Sequence, residues 1–131
     1  MADIISPGHS FSAQAYGAIE KYDTVVNHTT EGMVLKSAGD NAEAVGCVHT
    51  DSAATLEGIT VFVSGVVYCR AAAAITVNTP VMSAADGEIK DCAAVADTTY
   101  YIVGYAMGAA AAADEICPIL IQLHRFSTES A

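Results

Sequence analysis

The residues able to do chemistry are few and far apart. The chain has four histidines, His9, His28, His49 and His124, and four cysteines, Cys47, Cys69, Cys92 and Cys117. No two cysteines form a CxxC pair. Cys47 and His49 are two apart, which on a strand puts both on one face, but two ligands do not make a metal site. His49, Asp51 and Ser52 could form a local base and orienter beside a hydroxyl. Their surroundings read instead as a solvated loop after Val48. Glu57 and Glu115 could work as a pair of acids. They read better as strand-opening residues at a rim, where charge discourages stray edge pairing. Motifs of the HExxH, GxSxG and GxxxxGK[ST] kinds are absent. No catalytic, cofactor-binding or metal-binding residues are therefore assigned, and no cofactor is expected.

Bulk properties narrow the class further. The 131 residues suit one domain, and such a length can bury a core without staples. Fifteen acidic residues against five basic ones give a net charge of −10. Such a surface repels phosphate backbones, so direct nucleic-acid binding is not expected. Hydrophobic residues make up 53%, but many are alanines in the runs Ala71 to Ala74 and Ala109 to Ala113. No stretch approaches the ~20 large apolar residues of a membrane span. The start, Met-Ala-Asp-Ile-Ile-Ser-Pro-Gly, lacks the basic and apolar regions of a signal peptide. Synthesis in a cytoplasm and four free thiols are the expectation.

The hydrophobic period is 2 almost throughout. Phe11, Ala13 and Ala15 alternate with serine and glutamine after the Pro7-Gly8 break. Tyr22 to Val26 is rich in β-formers. Met33 to Lys36 and Glu43 to Val48 flank Ala38-Gly39-Asp40-Asn41, which reads as a hairpin from Met33 to Val48. Ile59 to Ser64 is the clearest strand, with Gly65 marking a bend before Val66 to Cys69. Val81 to Ser83 and Glu88-Ile89 flank the Asp86-Gly87 turn signal. Tyr100 to Met107 and Ile116 to Leu123 close the series. In Tyr100-Tyr101, one ring should enter the core and the other meet the surface or an interface. The alanine runs are too short, and too poor in large apolar residues, for stable helices. The expected fold is all-β: a small single-domain barrel of about eight or nine short strands. A short arm (1–8) precedes the β-rich domain (9–124), and a flexible tail (125–131) follows it. Ile59, Val61, Val63, Val103, Ile119 and Ile121 should be buried.

Two stretches echo each other. Ala44-Val45-Gly46-Cys47-Val48, a small-residue loop, Glu57 and Ile59 to Val63 match Ile102-Val103-Gly104-Tyr105-Ala106, an alanine loop, Glu115 and Cys117 to Ile121. The step is constant at 58 (104 − 46 and 115 − 57). Two such units could pack pseudo-symmetrically.

The order of these pieces resembles the phage capsid cement, or head decoration, protein family. The resemblance runs from Pro7-Gly8-His9-Ser10-Phe11-Ser12-Ala13 through Ala44 to Val48, Glu57 to Val61, Gly65-Val66-Val67 and Ile75 to Val81. It ends with Val103 to Ala106, Asp114-Glu115-Ile116 and Ile119 to Ile121. The chain departs from the pattern at Asn78-Thr79 and Asp114, turn positions where the family commonly has glycine. The resemblance implies a β-tulip-like fold and no enzymatic role. It implies a protein on the exterior of the virion, bound to the lattice of major capsid protein, commonly as a homotrimer, with neither nucleic acid nor membrane as a partner. Such a protein stabilises the expanded head against internal DNA pressure. The alternative is a small β-barrel that binds a glycan or other ligand on the virion. Capsid contacts would come from the apolar arm and its junction: Ile4, Ile5, Pro7 and Phe11.

Overall fold

The computed structural model describes residues 6–48, 53–93 and 96–128. Among them are eleven strands and one 3-10 turn at Ala85–Gly87. The strands are β1 (Ser6–Pro7), β2 (Ser10–Ala15), β3 (Thr24–Asn27), β4 (Met33–Lys36), β5 (Gly46–Cys47) and β6 (Gly58–Phe62). They continue with β7 (Gly65–Arg70), β8 (Pro80–Ser83), β9 (Ile89–Asp91), β10 (Thr99–Ala106) and β11 (Ile116–Ser127). Nine of these have three residues or more, in line with the alternation of the sequence. β2-β4-β3-β5-β6 close into a small barrel, and the other strands form a sheet in the order β1-β7-β11-β10-β8-β9.

The echo in the sequence is a structural repeat that covers almost the whole chain. Ala13 pairs with Ile59 in β2–β6, and Cys69 pairs with Cys117 in β7–β11. Val25 pairs with Gly46 and Lys36; Val81 pairs with Gly104 and Asp91. The parallel contact Ala15–Val34 recurs as Ala71–Ile89, and the bridge Ile19–Ala53 as Ile75–Ala110. The bridge Ala71–Ile89 thus brings the second sheet close to the closure that the first repeat completes. Even the strained turns match. Tyr22 and Asn78 have φ of 78° and 67°, and Leu56 and Asp114 have 71° and 69°. The second repeat uses asparagine and aspartate there, which tolerate this conformation.

Packing explains why the strand sequences look as they do. Ile59 and Val61 point into a first core with Ala15, Ile19, Val25, Val34 and Val48. Phe62, on the opposite face of β6, packs against the second core of Cys47, Val67, Cys69, Val81, Val103, Cys117, Ile119 and Ile121. β5 and β6 are therefore a wall between two cores. A strand with apolar neighbours on both faces reads as a nearly continuous apolar run, as in Ile59 to Val63. Each fully buried aliphatic side chain contributes about 1.5–3 kcal/mol of transfer free energy.

Three expectations need correction. Val63 is half-buried, because β6 ends at Phe62 and the chain bends through Ser64 to Gly65, at φ 90°, into β7. Met33 to Val48 is not a hairpin: β4 and β5 lie on opposite edges of β3. Barrel closure places β3 between them, a long-range pairing that no local turn signal reports. β11 runs past Leu123 to Ser127, because Thr99 to Ile102 of β10 continue the ladder opposite His124 to Ser127. At the other end, β1 draws residues 6 and 7 of the expected arm onto β7.

Candidate functional site

A buried polar cluster joins the two repeats. The Asp23 side chain is 0% exposed. Its Oδ2 accepts the Glu20 N–H at 2.8 Å, and its Oδ1 accepts Arg70 Nη2 at 2.9 Å. Lys36 Nζ lies 3.7 Å away. Arg70 also donates to Glu88 and to the Asp86 carbonyl. Thr24 Oγ1 and Ser37 Oγ are 2.6 Å apart and bond onward to the Gly87 and Ala84 carbonyls. Burial pushes the Asp23 carboxyl above its ordinary value; the Glu20 N–H, Lys36 and Arg70 oppose that rise. Every bonded group in this cluster either crosses between the repeats or supports one that does, so its role is that of a clasp. A second tie lies nearby: the Asn41 side chain donates to Thr99 O and accepts from Tyr101 N, both at 2.8 Å. Sequence reasoning missed both, since one aspartate inside a β-forming stretch carries no sign of its partner 47 residues away.

The candidates for chemistry do not converge. His28 Nδ1 accepts the Thr30 N–H at 3.0 Å, and its ring lies on Tyr16 with centroids 3.7 Å apart. His124 Nδ1 is 2.8 Å from Gln122 O. Among the described residues no group of three His, Cys, Asp or Glu side chains could hold a metal. His49, Asp51 and Ser52 lie outside the described residues. Glu57 and Glu115 do matched local work: their Oε1 atoms accept the Ala54 and Ala111 N–H at 2.6 and 3.1 Å, closing equivalent loops. Cys47 and Cys69 bring their sulfurs to 3.6 Å inside the second core, unlinked. Tyr100 is buried with Met82 and Ile102, while Tyr101 lines a groove of ≈250 Å³ beside Glu43, His124 and Arg125.

What the surface does offer is scattered apolar exposure: Phe11, Tyr16, Leu56, Val77, Met107 and Ile116. Phe11 lines a cleft of ≈320 Å³ between β2 and the turn joining β3 to β4. Pro7 sits in β1 opposite Gly65. Ile4 and Ile5 lie outside the described residues. Among the described residues, Phe11 and the five named with it are the large apolar side chains left on the surface.

A family model described as phage cement protein matches residues 5–123. The chain belongs to the phage cement protein family. This is a family of structural, capsid-associated phage proteins, and the match spans both repeats of the cement protein. Among solved structures, the head fiber gp8.5 N base of bacteriophage phi29 is similar, with a TM-score of 0.65 and 18% identity. The similarity covers 87% of this chain and 93% of that one, and it shows a shared fold. No curated protein matches the sequence.

Proposed function

We propose that this cement protein binds the outside of the expanded phage head as a homotrimer and stabilises it against the pressure of packaged DNA. The family match over residues 5–123 carries this reading. A protein that binds only the mature lattice stabilises that lattice by mass action. Contacts repeated across an oligomer add avidity without requiring one strong contact. The acidic surface keeps the free protein soluble until it meets its lattice. The contact includes the apolar arm with Ile4 and Ile5, the junction at Pro7, and the exposed Phe11.

The test is to mix purified protein with undecorated expanded heads of its phage, sediment the particles and heat them. Saturable binding and a higher temperature of DNA release are expected. Particles that take up no protein, or that release DNA at an unchanged temperature when saturated, overturn the reading.

A further inference from the structure

The two repeats differ at one matched place. The step between the opening strands is 56 (69 − 13), so Ser10 and Phe11 of β2 correspond to Val66 and Val67 of β7. In the second repeat, β1 covers the outer edge of β7, with Ser6 opposite Val66 and Pro7 opposite Gly65. In the first repeat, that edge of β2 is open among the described residues. β2 pairs with β6 along Ser10 to Gln14, but on its other edge Gln14 and Ala15 alone meet a described strand, β4.

The hydrogen bonds show which groups face the gap. His9 O accepts from Val63 N and Ala15 N donates to Glu57 O, so odd-numbered residues face β6. Gln14 N donates to Gly32 O and Tyr16 N to Val34 O, so even-numbered residues face the other way. Strand alternation then aims the N–H and C=O of Ser10 and Ser12 at the open edge. Among the described residues no strand pairs with them there. The space beside Ser12 is the ≈320 Å³ cleft, with Asn27, Glu31 and Met33 on its far side. Phe11 is 38% exposed, whereas the matched Val67 is 0% exposed. Native proteins blunt such edges with lysine, proline, a bulge or a covering loop. Ser10-Phe11-Ser12-Ala13 has no charged residue or proline, and its register with β6 is unbroken.

We propose that the open edge of β2 takes an extended segment of the head lattice protein, added antiparallel along Ser10 to Ser12 as β1 is added to β7. This inference rests on the capsid-binding reading above. Strand addition draws affinity from the main chain and selectivity from the pockets for alternate side chains. Here one pocket is the apolar gap at Phe11 and Met33. Glu31 is exposed on the cleft wall, and among the described residues no Lys or Arg lines the cleft. A segment carrying a basic residue is the complementary partner.

The experiment uses full-length protein and undecorated expanded heads as the probe. Hydrogen exchange followed by mass spectrometry compares peptides spanning residues 9–15 in the free and head-bound protein. Slower exchange at Ser10 and Ser12 on binding is expected. Ser12→Pro, which removes one edge N–H, should weaken binding by about tenfold, with circular dichroism as the folding control. Ser10→Lys, an exposed charge on the same edge, is the second variant and should also weaken binding. Wild-type protein that binds heads with unchanged exchange at residues 9–15 overturns the inference alone. So do folded variants that bind as wild type. Wild-type protein that does not bind heads overturns the parent reading, and this inference with it.

Discussion

Gly46 and Gly104 are the clearest case of a residue type chosen by geometry. A Cβ on Gly46 would lie 2.5 Å from the Phe62 carbonyl oxygen, and a Cβ on Gly104 would run into that of Leu120. The two oxygens are themselves matched across the repeat. Neither can move away, because each belongs to a strand paired on both sides. Gly104→Ala should therefore destabilise the fold by roughly 1–3 kcal/mol, the usual cost of overpacking. A thermal melt followed by circular dichroism measures it, and an unchanged melting temperature would count against close approach at this position. Arg70 is a different kind of case. Arg70→Ala leaves Asp23 buried with less compensation, at a cost of about 3–5 kcal/mol. It also removes one of the groups holding down the already raised Asp23 carboxyl, so that carboxyl moves further up. The folded chain then keeps a proton that the unfolded chain has released. Stability consequently falls as pH rises through the window above the ordinary aspartate value. Urea unfolding should show a larger loss near neutral pH than in mild acid; equal losses at both would mean that Asp23 is not the group responding. Little of this was legible beforehand. The paired Val-Gly steps hinted at the glycines, but nothing local marks Asp23 and Arg70 as partners.

Among the elements, the strands whose faces differ in burial were readable, and those positioned by closure were not. The Asp86-Gly87 turn joins β8 to β9 as its residues suggest, with φ of 62° and 73° at the two positions. The supposed hairpin from Met33 to Val48 failed because its two strands prefer β3 to each other. The N-terminal strand shows the same rule. Two residues, Ser6 and Pro7, find an edge on β7 that is distant in sequence. We expect removal of residues 1–5, which keeps β1, to leave the β domain folded and to weaken binding to expanded heads. Burying Ile4 and Ile5 would contribute about 1.5–3 kcal/mol each before ordering costs, offset by about 1–2 kcal/mol per residue fixed. Co-sedimentation of truncated and full-length protein decides the point. Equal affinity would place the contact on the β domain, where the open edge of β2 is the first surface to probe.

At the scale of the whole molecule, the cement protein is two copies of one β unit that share a wall and are clasped by Asp23, Arg70 and Asn41. The duplication gathers Cys47, Cys69 and Cys117 into the second core, where the hydrogen bond that the Cys69 thiol donates to Cys47, together with burial, pushes Cys69 up, and burial pushes Cys117 up. At Cys69 and Cys117 a protonated, unreactive thiol follows from that environment. Denatured, unreduced protein should titrate four free thiols, and two or fewer in a fresh preparation would mean that the Cys47–Cys69 pair had closed. The sequence by itself determined the β class, the approximate strand count, the repeat and most of the buried aliphatic positions. Those properties depend on local alternation and on turn residues, which neighbours along the chain report directly. Tertiary structure alone decided which strands became partners, where the polar clasp formed, and which strand edge stayed unpaired among the described residues. Each of these depends on two segments meeting across dozens of residues, and closure of the barrel selects the meeting by burying both repeats at once.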